Sequence, residues 1–560
     1  MMQEESASPT AAASGSEPAQ VQVEVQSSSG KPSHKRTGSG TRPLQALVAG
    51  AAAVAVHLEA SLVRQQSRES VYDPGDEEAA VEAVEVRVSQ AAPSEGEAAT
   101  TSTTRPLSSR MAMGPLRTKG MVRPKNYVRV GKKTGVPVVG RADGVTAEWL
   151  TLAFRSRGLL EPDGAVEAIR AKPIGEGQGE YGDLLAVEVL EARGATAGLP
   201  RFMICKMAPA KAPLPPIVVK GIYTNEAHFY NDFTVEGGGL PRPECYHVSA
   251  DLGSKAPKFC LVIENAVTGA HGGPSASHQY LRSEGCDDLP RLFMVMRALA
   301  QFHATWWGCD GRSKKSPLHP FLHPVRTGFG LLRNAVPLVS KNAFKCLPGL
   351  MADATYADGS PVPKFGAEYA PILGWAKRLH GRYRWLTREL LPPGRMTLCH
   401  NDAHLENIFF HGRFPGGCAF IDFGNIFFGH GLNDVAFFLS TCLEPDARRA
   451  MEAELVRAYH EKLVEHGVQG YSLLECTRDY KLQLWRSVIQ MAAAVPDFAN
   501  HRKKRTGMFA QHPTKADRAL YDMYAAYNRR LAAALIDHDW ISLLDGVGAS
   551  CCNYFCCKCT

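Results

Sequence analysis

Three side chains in one short region have the types and spacing that phosphoryl transfer requires. Asp402 and Asn407 stand in the run Cys399-His400-Asn401-Asp402-Ala403-His404-Leu405-Glu406-Asn407, and Asp422 follows in Ile421-Asp422-Phe423-Gly424. Moving a phosphoryl group to a hydroxyl needs one carboxylate beside the attacking oxygen to accept its proton. It also needs oxygen ligands for the Mg²⁺ that neutralises the nucleotide phosphates. Asp402 suits the first role, as the catalytic base. Asn407 and Asp422 suit the second, as metal ligands. Asp and Asn are common in turns, so a lone Asp-x4-Asn would mean little. Joined to Ile-Asp-Phe-Gly after a hairpin, it means considerably more.

The neighbouring residues predict how these side chains are held. Arg395 to Cys399 reads as a short apolar strand, with His400 to Asn407 as the loop after it. Ile408-Phe409-Phe410 and Cys418-Ala419-Phe420-Ile421 are two more apolar runs, separated by the turn-rich His411 to Gly417. This predicts a hairpin with polar loops at its mouth, which puts Asp402, Asn407 and Asp422 at strand ends facing one cleft.

These words resemble the catalytic core of the aminoglycoside phosphotransferase and choline kinase superfamily, in its ecdysteroid-kinase-like (CHK kinase-like) branch. A third word, Gly429-His430-Gly431-Leu432-Asn433-Asp434-Val435-Ala436-Phe437-Phe438-Leu439, extends the match. The resemblance spans roughly residues 143 to 545 and is most specific in the second half. It implies an α+β, two-lobed protein-kinase-like fold, ATP and Mg²⁺ as cofactors, a small-molecule hydroxyl acceptor, and an Asp434 that braces the catalytic loop. Two departures from protein kinases are informative. Asn401 stands where those enzymes carry an Arg that pairs with a phosphorylated loop. Too few residues separate Gly424 from Asp434 for a peptide-docking segment.

A nucleotide site also needs a phosphate cradle and a lysine. Ile174-Gly175-Glu176-Gly177-Gln178-Gly179 precedes the apolar run Leu184 to Leu190. Gly175, Gly177 and Gly179 would let backbone N–H groups approach phosphates closely, and the family's phosphate loop belongs at this position. Phe202-Met203-Ile204-Cys205-Lys206-Met207 is an apolar strand carrying Lys206, the preferred lysine for the α- and β-phosphates. Glu226 is its expected partner, near the start of a helix with Thr224 as N-cap candidate. Lys220, read as the end of a strand Ile217 to Lys220, competes for the role but lies too close to Glu226. Leu261 to Asn265 resembles the family's inter-lobe hinge, where backbone groups of Glu264 to Ala266 would meet the adenine edge. Leu292, Val295, Met296, Leu299, Phe302, His303 and Trp306 form one helical stripe, and His303 reads as a core histidine outside the site.

The predicted organisation is a disordered, low-complexity region over 1–142, a nucleotide-binding N-lobe over 143–265, a catalytic and acceptor-binding C-lobe over 266–545, and a Cys-rich tail over 546–560. Two rival readings are a non-catalytic nucleotide-binding relative and, less favoured, a protein kinase. The acceptor would be chosen by inserts around 306–395 and 475–535. There Trp306, Trp307, Trp375, Trp385 and Trp485 could cage a quaternary ammonium, and an apolar pocket for a sterol-like alcohol fits equally.

Composition agrees with this reading. The chain has 560 residues, 45% of them apolar, and a net charge of +7. Nine Lys and Arg and no acids lie between Arg105 and Lys133, which reads as a solvated linker, and no nucleic-acid partner is expected. Residues 44–63 are apolar, but the uninterrupted part is shorter than the roughly 20 residues a membrane span needs. Of fifteen cysteines, ten are scattered from Cys205 to Cys476, the pattern of a reducing compartment. The other five crowd the last ten positions, where reversible palmitoylation would give weak membrane association and an inert terminus is the equal alternative. A cytoplasmic protein is expected, with a membrane-associated or organelle-targeted pool left open.

Overall fold

The computed structural model describes residues 135–174, 183–208, 216–233, 239–251, 258–273, 277–308, 343–376, 378–379, 392–505 and 512–545. Gly175, Gly177 and Gly179, segment 44–63 and the Cys-rich tail lie outside the described residues.

The first half is built on alternation. In strand β3 (Phe202–Met207), Met203, Cys205 and Met207 are buried on one face, so Ile204 and Lys206 share the other. Together with β1 (Leu160–Ile174), β2 (Asp183–Ala195), β4 (Cys245–Asp251) and β5 (Lys258–Glu264) it forms an antiparallel sheet in the order β1-β2-β3-β5-β4. One face packs on helix α1 (Ala147–Arg155) through Trp149, Leu150 and Phe154. Val136 and Val139 join that core, so the lobe begins a few residues before the expected boundary at 143. The β4 and β5 strands are buried nearly throughout because both faces are covered.

Helix α2 spans Pro216–Asp232 and corrects the reading of this segment. Lys220 lies inside it and does not end a strand. Thr224 is not an N-cap, since its hydroxyl donates to the Lys220 carbonyl at 2.6 Å. Glu226 sits more than two turns into the helix and does not open it. The β-branched Ile217-Val218-Val219 favours a strand by propensity, whereas Pro216 takes the first helical position, which its fixed φ suits.

The chain then passes Glu264 into a mainly helical lobe. Helix α3 (Leu289–Thr305) starts at an Asp288 N-cap and buries the predicted stripe from Leu292 to His303. Strand β6 (Met396–Cys399) pairs with β9 (Phe427–His430), and β7 (Ile408–Phe410) forms the predicted hairpin with β8 (Cys418–Phe420). Helix α4 (Leu432–Cys442), buried along its whole length, carries Asp434 in its first turn. Helices α5 (Pro445–Glu465), α6 (Leu473–Gln483), α7 (Trp485–Arg505) and α8 (Lys515–Asp537) complete the lobe. This is the two-lobed protein-kinase-like fold. No described helix is long and apolar enough to cross a membrane.

Candidate active site

The loop after β6 turns at Asn401, whose φ of 66° is left-handed, a region Asn tolerates better than most residues. Asp434 fixes the turn. Its carboxylate accepts the backbone N–H of His400 at 2.7 Å and of Asn401 at 2.8 Å. Its Oδ2 also lies 3.2 Å from His303 Nε2, while His303 Nδ1 is 2.8 Å from the Tyr459 hydroxyl. Burial would raise the Asp434 carboxyl, but these imidazole and backbone partners hold it below its ordinary value. His303 is therefore a fully buried, hydrogen-bonded core residue. Arg282 and Glu406 form a second internal support at 2.6 Å, and Arg486 on α7 donates to the Asn401 carbonyl.

Asp402 is buried on this loop and accepts from Asn425 Nδ2 at 3.2 Å. Burial, then the neighbouring Asp422, push its carboxyl up to about 6, against the pull of Arg282 and Arg486. Asn407 Nδ2 lies 3.0 Å from the Asp402 carbonyl and 3.0 Å from His404 Nε2. Asn407 Oδ1 is buried and meets no hydrogen-bond donor among the described residues. Burial also holds the His404 imidazole well below its ordinary range.

Asp422 opens the turn after β8 with a left-handed φ of 64°. Two bonds tie this turn to the loop after β6: His400 Nε2 lies 3.0 Å from the Ile421 carbonyl, and the Ile421 N–H donates to the Asn407 carbonyl at 3.0 Å. Helix α2 grips the same turn from the other lobe. Asn225 Nδ2 donates to the carbonyls of Gly424 (3.2 Å) and Ile426 (3.1 Å), and Phe229 stacks on Phe423 with ring centroids 3.9 Å apart. Gly424 is required by this contact, because a Cβ there would come within 2.6 Å of Ile222 Cγ2.

Lys206 joins the two halves. Its Nζ lies 2.9 Å from Glu226 Oε1 and 3.1 Å from Asp422 Oδ1. Burial would lower the ammonium, but Asp422 and Glu226 keep it above its ordinary value. Burial raises the Glu226 carboxyl to about 7, outweighing Lys206. At the hinge, the Glu264 N–H donates to the Glu244 carbonyl at 2.8 Å, and the Ala266 carbonyl accepts from Ser277 Oγ at 2.6 Å and from Arg413. Those two groups of the expected adenine edge are thus engaged within the protein. A cavity of about 310 Å³ beside Glu264 is lined by Thr268, His271, His411 and Arg413, away from Asp402.

The structure thus brings Lys206, Glu226 and Asp422 into one cluster and Asp402 with Asn407 into another, linked through Asn425 and the Ile421 bonds. Sequence reasoning missed Asn225, Asn425, Arg282, Arg486 and His404. Their partners lie on distant elements or around a loop turn, and only His404, adjacent to the catalytic words, carried a local signal. Trp306 and Trp485 belong to the core. Trp385 lies outside the described residues.

A family model, the ecdysteroid kinase-like family, matches residues 378–469. That segment holds all three words that carry the resemblance. No curated protein matches the chain. Among solved structures, the chain is similar to a choline kinase from Cryptosporidium parvum Iowa II (12% identity, 60% of this chain, 87% of that one, TM-score 0.36). It is also similar to an ethanolamine kinase from Plasmodium vivax (11% identity, 64% and 85%, TM-score 0.35). A choline/ethanolamine kinase family protein from Mesorhizobium loti gives 13% identity, 66% and 92%, with a TM-score of 0.32. Scores this low add nothing to the geometry above.

Proposed function

We propose that this chain is a small-molecule kinase that transfers the γ-phosphoryl group of ATP to a hydroxyl. The observation that carries the reading is the cluster of Lys206, Glu226 and Asp422 across the lobes, beside a buried Asp402 whose carboxyl sits near 6. A base in that range is ionised at neutral pH yet basic enough to share a proton in the transition state. Asp402 accepts the proton as the acceptor oxygen bonds to the γ-phosphorus and the bond to the β–γ bridging oxygen breaks, releasing ADP. Lys206, oriented by Glu226, holds the α- and β-phosphates.

The oxygen donors fit a hard divalent cation. Asn407 Oδ1 is a buried amide oxygen lacking a donor among the described residues, and Asp422 supplies a carboxylate on the adjoining turn. When bound there, Mg²⁺ would neutralise charge on the transferring phosphates. Gly175, Gly177 and Gly179 would cradle those phosphates.

The test is ADP release and product mass from purified full-length protein given ATP, Mg²⁺ and a panel of hydroxyl acceptors. The panel covers quaternary-ammonium alcohols, amino alcohols, sterol-like alcohols, aminoglycosides and hydroxylated amino acids. Acceptor-dependent ADP release that Asp402→Asn abolishes is expected. Mg·ATP binding with no turnover on any of these would favour a non-catalytic nucleotide-binding protein.

A further inference from the structure

We propose that His404 is a positioning residue that aims Asn407 Oδ1 at the metal. The inference rests on the kinase reading above and assigns a role to a side chain that reading does not use. His404 is fully buried between Asp402 and Asn407.

The orientation of the Asn407 amide follows from its neighbours. The Asp402 carbonyl, 3.0 Å away, can only accept, so the amide atom facing it is the nitrogen. The reverse orientation would set two acceptor oxygens against each other. Asn407 Nδ2 has a second hydrogen, and His404 Nε2 lies 3.0 Å from it. That ring nitrogen must then accept, which requires the neutral imidazole with its proton on Nδ1, a buried position that meets no acceptor among the described residues. With both amide hydrogens engaged, Oδ1 is the amide atom left over, buried and without a donor among the described residues. A buried amide oxygen without a donor is costly unless a cation or water answers it.

His404 Nε2 also lies 3.8 Å from Asp402 Oδ1, beyond hydrogen-bond reach. The imidazole therefore serves Asn407 rather than the base. Partners that orient a metal-binding group from behind commonly change metal affinity by about 10- to 100-fold when removed.

The experiment measures Mn²⁺ binding to the nucleotide complex by electron paramagnetic resonance, for wild type, His404→Phe and His404→Gln. Phe fills the space without an acceptor, whereas Gln restores a carbonyl oxygen that can accept from Asn407. Expected is a roughly tenfold or greater loss of Mn²⁺ affinity in His404→Phe, unchanged affinity for metal-free ATP, and recovery in His404→Gln. Wild-type Mn²⁺ affinity in His404→Phe would overturn the proposal and leave the kinase reading standing. Failure of wild type to bind Mn²⁺ with nucleotide would overturn both. Nitrogen-15 chemical shifts of His404 in the unmodified protein give an arm that does not depend on variant folding. A neutral ring protonated at Nδ1 is expected, and a proton on Nε2 would overturn the proposal.

Discussion

Burial and the neighbouring Asp422 set how tightly Asp402 holds a proton, and this has measurable consequences. Burial and Asp422 raise its carboxyl to about 6, so kcat/KM in the free enzyme should fall as pH drops through about 6. Asp402→Asn keeps the shape but cannot accept a proton, and turnover should drop roughly 10²-fold or more while nucleotide affinity barely changes. The same shift has a stability consequence. The folded protein binds protons at Asp402 and Glu226 more tightly than the unfolded chain does. Their stabilising contribution is complete below about pH 4 and lost as pH rises through about 6 to 7. Asp402→Asn should therefore be more stable than wild type at pH 8, by at most about 3 kcal/mol, and lose that advantage at pH 4. Thermal unfolding at the two pH values checks this, and equal midpoint differences at both would contradict it.

At the scale of elements, helix α2 is the part that braces the Lys206–Asp422 cluster and that the sequence disguised. Its start was misread because Ile217-Val218-Val219 has strand propensity, and propensity is a weak guide against tertiary packing. The Lys206–Glu226 pair was still legible, since a lysine in an apolar strand facing a glutamate on the next helix is unusual by residue type. The grouping of Asp402 with Asn407 was legible because the two share one short loop. Asn225 was not, because its carbonyl partners on the Asp422 turn are 199 and 201 residues away and nothing local marks a bracing amide. Asn225→Ala would leave two buried carbonyls without a donor, costing about 1 to 3 kcal/mol, and should raise the KM for ATP by loosening the Asp422 turn. Lys206→Met should abolish detectable transfer, with Glu226→Gln lowering it less and the pair behaving non-additively. Lys220→Met should be nearly silent in the same assay, because Lys220 shares α2 with Glu226 and lies outside the Lys206 cluster.

At the scale of the whole molecule, the Lys206–Asp422 ion pair crosses from the sheet to the helical lobe at 3.1 Å, so occupancy of the cleft should be felt in global stability. Ligand that binds only the folded state stabilises it by about 2.7 kcal/mol at a hundredfold excess over Kd. Mg·ATP should therefore raise the unfolding temperature in a concentration-dependent way, and chelation of the metal should remove most of the effect. All nine cysteines among the described residues are free. The central claim is that Asp422, Asn407 and Lys206 form one Mg·ATP site, and its most direct test is calorimetric titration of Mg·ATP into wild type and Asp422→Ala. Measurable Mg²⁺-dependent binding is expected in wild type, weakened tenfold or more in Asp422→Ala, with little difference between the two when ATP is titrated in chelator. Wild-type Mg·ATP affinity in Asp422→Ala would contradict it.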